Sequence, residues 1–395
     1  MPRMAGERER DLALFGATGF TGGLTADYLA ANAPAGLRWA LVGRNRAKLE
    51  AVAARLAAAA PAAPAPDLLV ADAADPVALA KVAASTRVVI TTVGPYALYG
   101  APLVATCAAA GTDYVDLTGE PEFVDRMWLE NHAAAERSGA RLVHCCGFDS
   151  IPHDLGAYFT VKHLPEGVPL TVDGYVRTNA QFSGGTFHSA VNGFARGRQT
   201  LAAAKQRRAA EPRPAGRQVR AAPARVRRAP GLDGWSAPLP TIDGTIVRRS
   251  AAAVDRYGPD FTYGHNLLAR HLVTIGGMAA GVGAVAVLAP IPPARKLLLK
   301  AKAPGEGPGE ATRAKSWFKV RFVGEGGGRR VVTEVSGGDP GYTETSKMLA
   351  ESGLCLAFDE LPERAGQLTT VASMGDMLLT RLEKAGIAFR VLEGA

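Results

Sequence analysis

The run Leu12–Gly22, Leu-Ala-Leu-Phe-Gly-Ala-Thr-Gly-Phe-Thr-Gly, constrains this chain more than any other stretch. Leu12 to Phe15 is apolar and reads as a buried strand. Gly16, Gly19 and Gly22 follow at spacing three, and the residues after them suit a helix. Strand, glycine turn and helix in that order open a dinucleotide-binding fold. Gly16 permits the tight turn, Gly19 lets backbone approach a pyrophosphate, and Gly22 lets the helix pack on the strand. The phosphates then meet the free N–H groups of the helix start, where the macrodipole favours anions. Thr18, Phe20 and Thr21 complete the expected cradle.

The pattern repeats through the first 155 residues. Strands are expected at Trp39–Val42, Leu68–Ala71, Arg87–Val93, Tyr114–Leu117 and Arg141–Cys146, with helices between them. Such alternation predicts an α/β fold, a Rossmann-type doubly wound parallel sheet whose ligand lies at the carboxyl edge of the strands. After the second strand, where an acidic residue would hold a ribose hydroxyl, the chain reads Gly43-Arg44-Asn45-Arg46. A guanidinium there suits a 2′-phosphate, so Arg44 predicts NADPH over NADH. Asp72 ends the third strand and is expected to face the adenine. Gly94-Pro95-Tyr96 follows the fourth strand, where the nicotinamide ribose passes. Gly94 allows close approach, Pro95 stiffens the turn, and Tyr96 is a candidate proton donor or ring wall. Thr118 and Gly119 end the fifth strand. Asp149, after the sixth, is a candidate for delivering a proton through a held water, with Ser150 beside it toward the substrate.

Composition narrows the class. A chain of 395 residues with 47% hydrophobic content is long enough for two domains. Its four cysteines form no Cys-x-x-Cys pair, and the start Met-Pro-Arg resembles no signal peptide. These features point to a reducing, cytoplasmic setting. His144, Cys145, Cys146 and His153 meet no metal-ligand spacing, so no metal is expected. The net charge of +8 is concentrated, since Arg196–Arg228 holds eleven Lys/Arg against one Glu. The remainder is slightly acidic, which argues against nucleic acid as a partner. Tyr158 and Lys162 match the Tyr-x-x-x-Lys dyad of short-chain dehydrogenases but lack its upstream serine, and read as a helix surface pair.

Several strings resemble one family. Gly16–Gly22, Gly94-Pro95-Tyr96, Asp116-Leu-Thr-Gly-Glu120 and Cys146-Gly-Phe-Asp-Ser-Ile-Pro152 are similar to saccharopine dehydrogenase-like oxidoreductases. With Ser183-Gly-Gly-Thr186, Pro304-Gly-Glu-Gly-Pro308 and Gly338-Asp-Pro-Gly-Tyr342, they resemble the bacterial trans-acting enoyl reductase branch more nearly. The resemblance covers nearly the whole chain. It implies hydride transfer from NADPH to an enoyl group on a polyketide- or lipid-derived thioester, in trans to a synthase. Two alternatives stay open: a saccharopine-type amino-acid dehydrogenase, and a non-catalytic NADPH-binding protein on a membrane or synthase.

Beyond about residue 156 a smaller α+β substrate domain is expected to run to 340, and the C-terminal helices of 341–395 to return to the first domain. Leu170–Thr178 alternates as a strand. Ser183, Gly184, Gly185 and Thr186 open a helix near the substrate. The Ala/Pro/Arg-rich stretch 196–230 reads as a solvated basic loop that attracts an acidic carrier protein or anionic headgroups. Pro238–Arg249 and Ala252–Asp255 read as strands, and Trp317–Val323 with Arg330–Ser336 as a hairpin. Leu272–Ala294 carries no charge and is long enough to span a bilayer, yet it is rich in Gly and Ala and ends in prolines. A helix buried in the second domain, or an apolar hairpin touching the inner face of the membrane, fits it better than a span. A homodimer is also compatible with the sequence.

Overall fold

The computed structural model describes residues 8–180, 184–300 and 307–394. The first half runs β1 (Arg10–Phe15), α1 (Phe20–Asn32), β2 (Trp39–Gly43), α2 (Arg46–Ala59), β3 (Asp67–Val70), α3 (Pro76–Ser85), β4 (Thr86–Thr91), α4 (Tyr96–Tyr99), α5 (Ala101–Ala110), β5 (Asp113–Asp116), α6 (Pro121–Ser138), β6 (Arg141–Val143) and α7 (Ile151–Lys162). The second half runs β7 (Leu170–Thr178), α8 (Gly184–Ala195), α9 (Gly197–Ala210), β8 (Gln218–Ala221), β9 (Arg227–Arg228), β10 (Trp235–Pro238), α10 (Asp243–Ala253), β11 (Asp260–Ala269), α11 (Leu272–Leu288), α12 (Pro292–Lys300), α13 (Glu310–Arg313), β12 (Phe318–Gly326) and β13 (Arg329–Gly337). The chain ends with α14 (Thr343–Phe358), β14 (Gly366–Leu368), α15 (Thr370–Ser373), α16 (Gly375–Lys384) and β15 (Ala388–Glu393).

Seven strands form a parallel sheet in the order β14-β6-β5-β4-β1-β2-β3. β1 is central, and every residue from Asp11 to Phe15 is buried. Burial on both faces explains why it reads as a continuous apolar run rather than an alternation. The order reverses at β1, so the glycine turn after it opens at the switch point of the sheet. α14 covers one face of this sheet, against β1, β4 and β5. Gly353 brings it in, because a Cβ there would lie 2.4 Å from Ile90 Cδ1.

The second sheet is mixed, in the order β15-β13-β12-β7-β11-β10-β9, with β8 also on β11. α7 leaves the first sheet and packs on β12 and β13. Gly156 permits that approach, since a Cβ would sit 2.3 Å from the Phe322 ring.

Three expectations are corrected. The strands expected across Pro238–Arg249 and Ala252–Asp255 are largely replaced by α10. Its Ile246, Val247, Ser250 and Ala251 form one buried helical stripe against α7 and β11, and that packing overrides β-branched propensity. The basic stretch is not a solvated loop. α9 docks on α6, Arg207 is buried and paired with Asp125 and Glu211, and Arg196 grips Glu122 through two bonds of 2.6 Å. Nor is the apolar stretch a buried helix: Ile275 is the one buried residue of α11. Among the described residues, no helix is long and apolar enough to cross a membrane.

Candidate active site

The glycine turn is built as a cradle. Gly16 adopts φ +88°, a conformation L side chains rarely take. A Cβ at Gly22 would lie 2.1 Å from the Gly16 carbonyl oxygen, so α1 can only start there with glycine. A Cβ at Gly19 would instead meet only that oxygen, in ordinary contact at 3.4 Å. Thr18 and Gly19 are exposed, and α1 has neither a side-chain cap nor an acidic residue in its first turn. Its orphan amides are therefore available to an anion, which fits a dinucleotide pyrophosphate.

At the adenosine end, β2 and β3 bring Arg44 and Asp72 together, with Arg44 Nη1 3.9 Å from Asp72 Oδ2. Asp72 also accepts from the Ala74 amide at 2.9 Å. The Arg44 guanidinium is largely exposed, with no nearer carboxylate among the described residues.

At the other end, the loops after β4, β5 and β6 converge. Asp116, wholly buried at the end of β5, organises them. It accepts from the Thr118 and Cys145 amides at 3.1 Å each and from the Tyr114 hydroxyl at 3.0 Å, and its Oδ2 lies 2.6 Å from His144 Nδ1. Thr118 is itself buried, with its hydroxyl accepting from the Glu120 amide, so it shapes the loop instead of reaching outward. Glu120 in turn caps α4, accepting from the Tyr96 and Ala97 amides at 3.1 and 2.8 Å, and from Ser189 of α8 at 2.9 Å. That cap turns Tyr96 inward. Its hydroxyl donates to the Thr91 carbonyl, and burial, then the Asp116 charge, drives its pKa well above the usual value. Tyr96 is thus a core residue packed beside Phe123, which corrects its reading as a proton donor. Gly94 is exposed, and a Cβ there would touch the Tyr96 ring at 3.5 Å. Pro95 lines a cavity of about 310 Å³ with Leu98, Glu120, Asn192, Arg196 and Arg295.

Asp149 sits on Gly119, where a Cβ would lie 2.7 Å from its Oδ2. Burial, and then the negative charge of Asp243, push its pKa up to about 7. Asp243 stays ionised: burial works against the charge, but His153 and His265 nearby and the Thr241 hydroxyl pull its pKa below the usual carboxylate range. His153 Nε2 and His265 Nε2 lie 3.7 and 3.4 Å from its two oxygens. Burial brings the His153 pKa down to about 4, so this imidazole is neutral near pH 7. Ser150 is fully buried at φ +141°, with its hydroxyl 3.5 Å from Asp243 Oδ1. Its side chain faces this polar cluster, which corrects its expected place against substrate. Ligand atoms of His153, Asp243 and His265 all lie within 4.8 Å of one another. Of the His/Cys set considered from sequence, His153 alone belongs to this group.

The remaining expected residues divide. Gly184 donates its amide to the Tyr342 hydroxyl at 3.2 Å and is committed there. Gly185 is exposed in the first turn of α8, and Thr186 continues that turn. Ser183 lies outside the described residues. Tyr158 and Lys162 both turn to Asp376 on the surface. Asp243 and His265 belong to no motif in the sequence, and only the fold brings them beside His153 and Asp149.

A family model described as the saccharopine dehydrogenase NADP binding domain matches residues 12–143. The fold is similar to that of the saccharopine dehydrogenase (L-Glu forming) of Saccharomyces cerevisiae, with a TM-score of 0.54 over 97% of this chain and 100% of that one, at 13% identity. Fold and cradle thus define an NADP-dependent oxidoreductase on the saccharopine dehydrogenase plan. The chain is 36% identical to the trans-acting enoyl reductases of Mycobacterium ulcerans and Mycobacterium bovis, over 96% of its own length and 97% of theirs. A Mycobacterium tuberculosis protein that carries this name provisionally is 39% identical over 97% of both chains. The chain belongs to the trans-acting enoyl reductase family.

Proposed function

We propose that this enzyme reduces the double bond of an enoyl thioester borne on a lipid-like or polyketide-derived acyl chain, which a separate synthase supplies. The observation that carries the reading is Asp149, a carboxyl that keeps its proton to near neutral pH at the carboxyl edge of the sheet, against Gly119. Bound NADPH supplies the hydride that adds to the β-carbon. The chain then has two tasks: to hold the enolate that forms and to return a proton to its α-carbon. Asp149 is the proton donor. The first-turn amides of Gly185 and Thr186 are the donors for the enolate oxygen, since that of Gly184 is already taken. The cavity beside Pro95 receives the acyl chain. Gly16–Gly22 hold the pyrophosphate, and Arg44 takes the 2′-phosphate.

Features of the surface support a location and a partner. α11 presents Val273, Met278, Val282 and Val287 to solvent, while α12 carries Arg295, Lys296 and Lys300 beside the exposed Leu297. An apolar helix next to a basic one suits peripheral contact with an anionic bilayer. Arg295 also lines the acyl cavity, so a lipid-like substrate enters from that side. The exposed Arg198, Lys205 and Arg208 of α9 suit an acidic carrier protein.

The test is to incubate the purified protein with NADPH and enoyl thioesters of increasing chain length, following nicotinamide fluorescence and product mass. Consumption of NADPH with formation of the thioester two hydrogens heavier is expected. Turnover of saccharopine with none of any thioester would overturn the reading, as would tight NADPH binding without hydride transfer to any acyl substrate.

A further inference from the structure

The segment 307–313 lies across the glycine cradle. A Cβ at Gly307 would fall 2.2 Å from Phe20 Cε1, so the backbone packs closely against the Phe20 ring. Phe20 is the first residue of α1, directly after Gly19. Its ring meets the edge of Tyr342 at 4.9 Å between centroids. Arg313 reaches back over the same ring, with Cζ 5.4 Å from its centroid, and donates from Nη1 to the Pro308 carbonyl at 2.8 Å. Its Nε is buried and has no hydrogen-bond partner among the described residues.

A buried guanidinium N–H without an acceptor is costly unless something else supplies one. The ring under Arg313 belongs to the first residue of α1, whose N-terminus is built for an anion. An arginine stacked on an aromatic face keeps its planar fork in place, and such a fork suits phosphate oxygens. Gly307 lets the backbone come this close to Phe20, since any side chain there would meet the ring.

We propose that Arg313 clamps the pyrophosphate of the bound dinucleotide from the second domain, on the face opposite the glycine turn. The cofactor is then held between two segments almost three hundred residues apart in sequence, with Phe20 as the platform for both. Arg44 and Arg313 divide the work. Arg44 distinguishes NADPH from NADH, whereas Arg313 serves the pyrophosphate common to both.

The test is nucleotide binding, measured apart from acyl turnover. NADPH and NADH are titrated by nicotinamide fluorescence against the parent protein and Arg313→Gln, and melting temperatures are taken with and without NADPH. Arg313→Gln is expected to weaken both nucleotides by the same factor, about tenfold or more. It should leave the melting temperature of the nucleotide-free protein unchanged and shrink the rise that NADPH produces. Phe20→Leu, which removes the platform but not the charge, should weaken both nucleotides less. Should Arg313→Gln fail to fold, Arg313→Met keeps the side-chain stem packed on Phe20 and is read the same way. Unchanged affinity overturns the proposal. So does a loss confined to NADPH, which would assign Arg313 to the 2′-phosphate. A lower melting temperature of the nucleotide-free protein with affinity intact would make Arg313 a packing residue and also overturn it.

Discussion

At Asp149 two effects act in the same direction: burial disfavours the carboxylate, and ionised Asp243 disfavours it further. The native pKa of about 7 lies above the unfolded value. The group therefore stabilises the fold fully at acid pH, and that contribution fades as pH rises through about 7. The proton that we propose it donates is lost over the same range. The expected profile of kcat/KM falls above that pKa, and Asp243→Asn should move the falling limb to lower pH. Asp149→Asn should cut turnover by about 10²–10⁴ with NADPH affinity intact. A profile unmoved by either substitution would remove Asp149 from the chemistry. At Arg44, Asp72 lies 3.9 Å away, so a carboxylate placed at 44 would face another carboxylate. Arg44→Gln is the cleaner test. It should weaken NADPH by about tenfold and leave NADH unchanged, as read by fluorescence titration. Both arginine and glycines were legible as motif positions, but the role of Asp149 depends on Asp243, which lies 94 residues further along the chain.

Among the elements, α9 departs furthest from its composition. Its arginines looked solvated because Glu211 is the one acid in the stretch. The other partners, Glu122 for Arg196 just before α9 and Asp125 for Arg207, sit on α6, and burial of Arg207 follows from that docking. Arg207→Gln leaves Asp125 buried without its counter-charge and should destabilise by about 3–5 kcal/mol in chemical denaturation. Replacing the exposed Arg198, Lys205 and Arg208 with Gln should change stability by less than about 0.5 kcal/mol each. The same triple change should weaken binding to an acidic carrier protein and flatten its salt dependence. α7 gives a second check. Gly156→Ala forces a methyl into the Phe322 ring and Val335, at an expected cost of about 1–3 kcal/mol and a lower melting temperature.

For the whole molecule, the distribution of apolar surface decides. Eight of the nineteen exposed large hydrophobics among the described residues lie between Leu272 and Leu297. That concentration marks an interaction face, whereas scattered single residues would not. The protein should float with anionic vesicles, bind neutral ones weakly, and be released by salt. No binding to anionic vesicles at low salt, with dimerisation through this face, would reassign it to a second copy of the chain. Periodicity and glycine spacing determined the parallel sheet and the glycine cradle at its switch point, because these depend on backbone geometry and contacts within one βαβ unit. Tertiary structure alone decided which polar groups are buried together, which arginines are paired, that α10 is a helix, and that α11 faces outward. An apolar helix has the same composition whether it fills a core or meets a membrane, and a carboxylate's pKa depends on neighbours that only folding brings near.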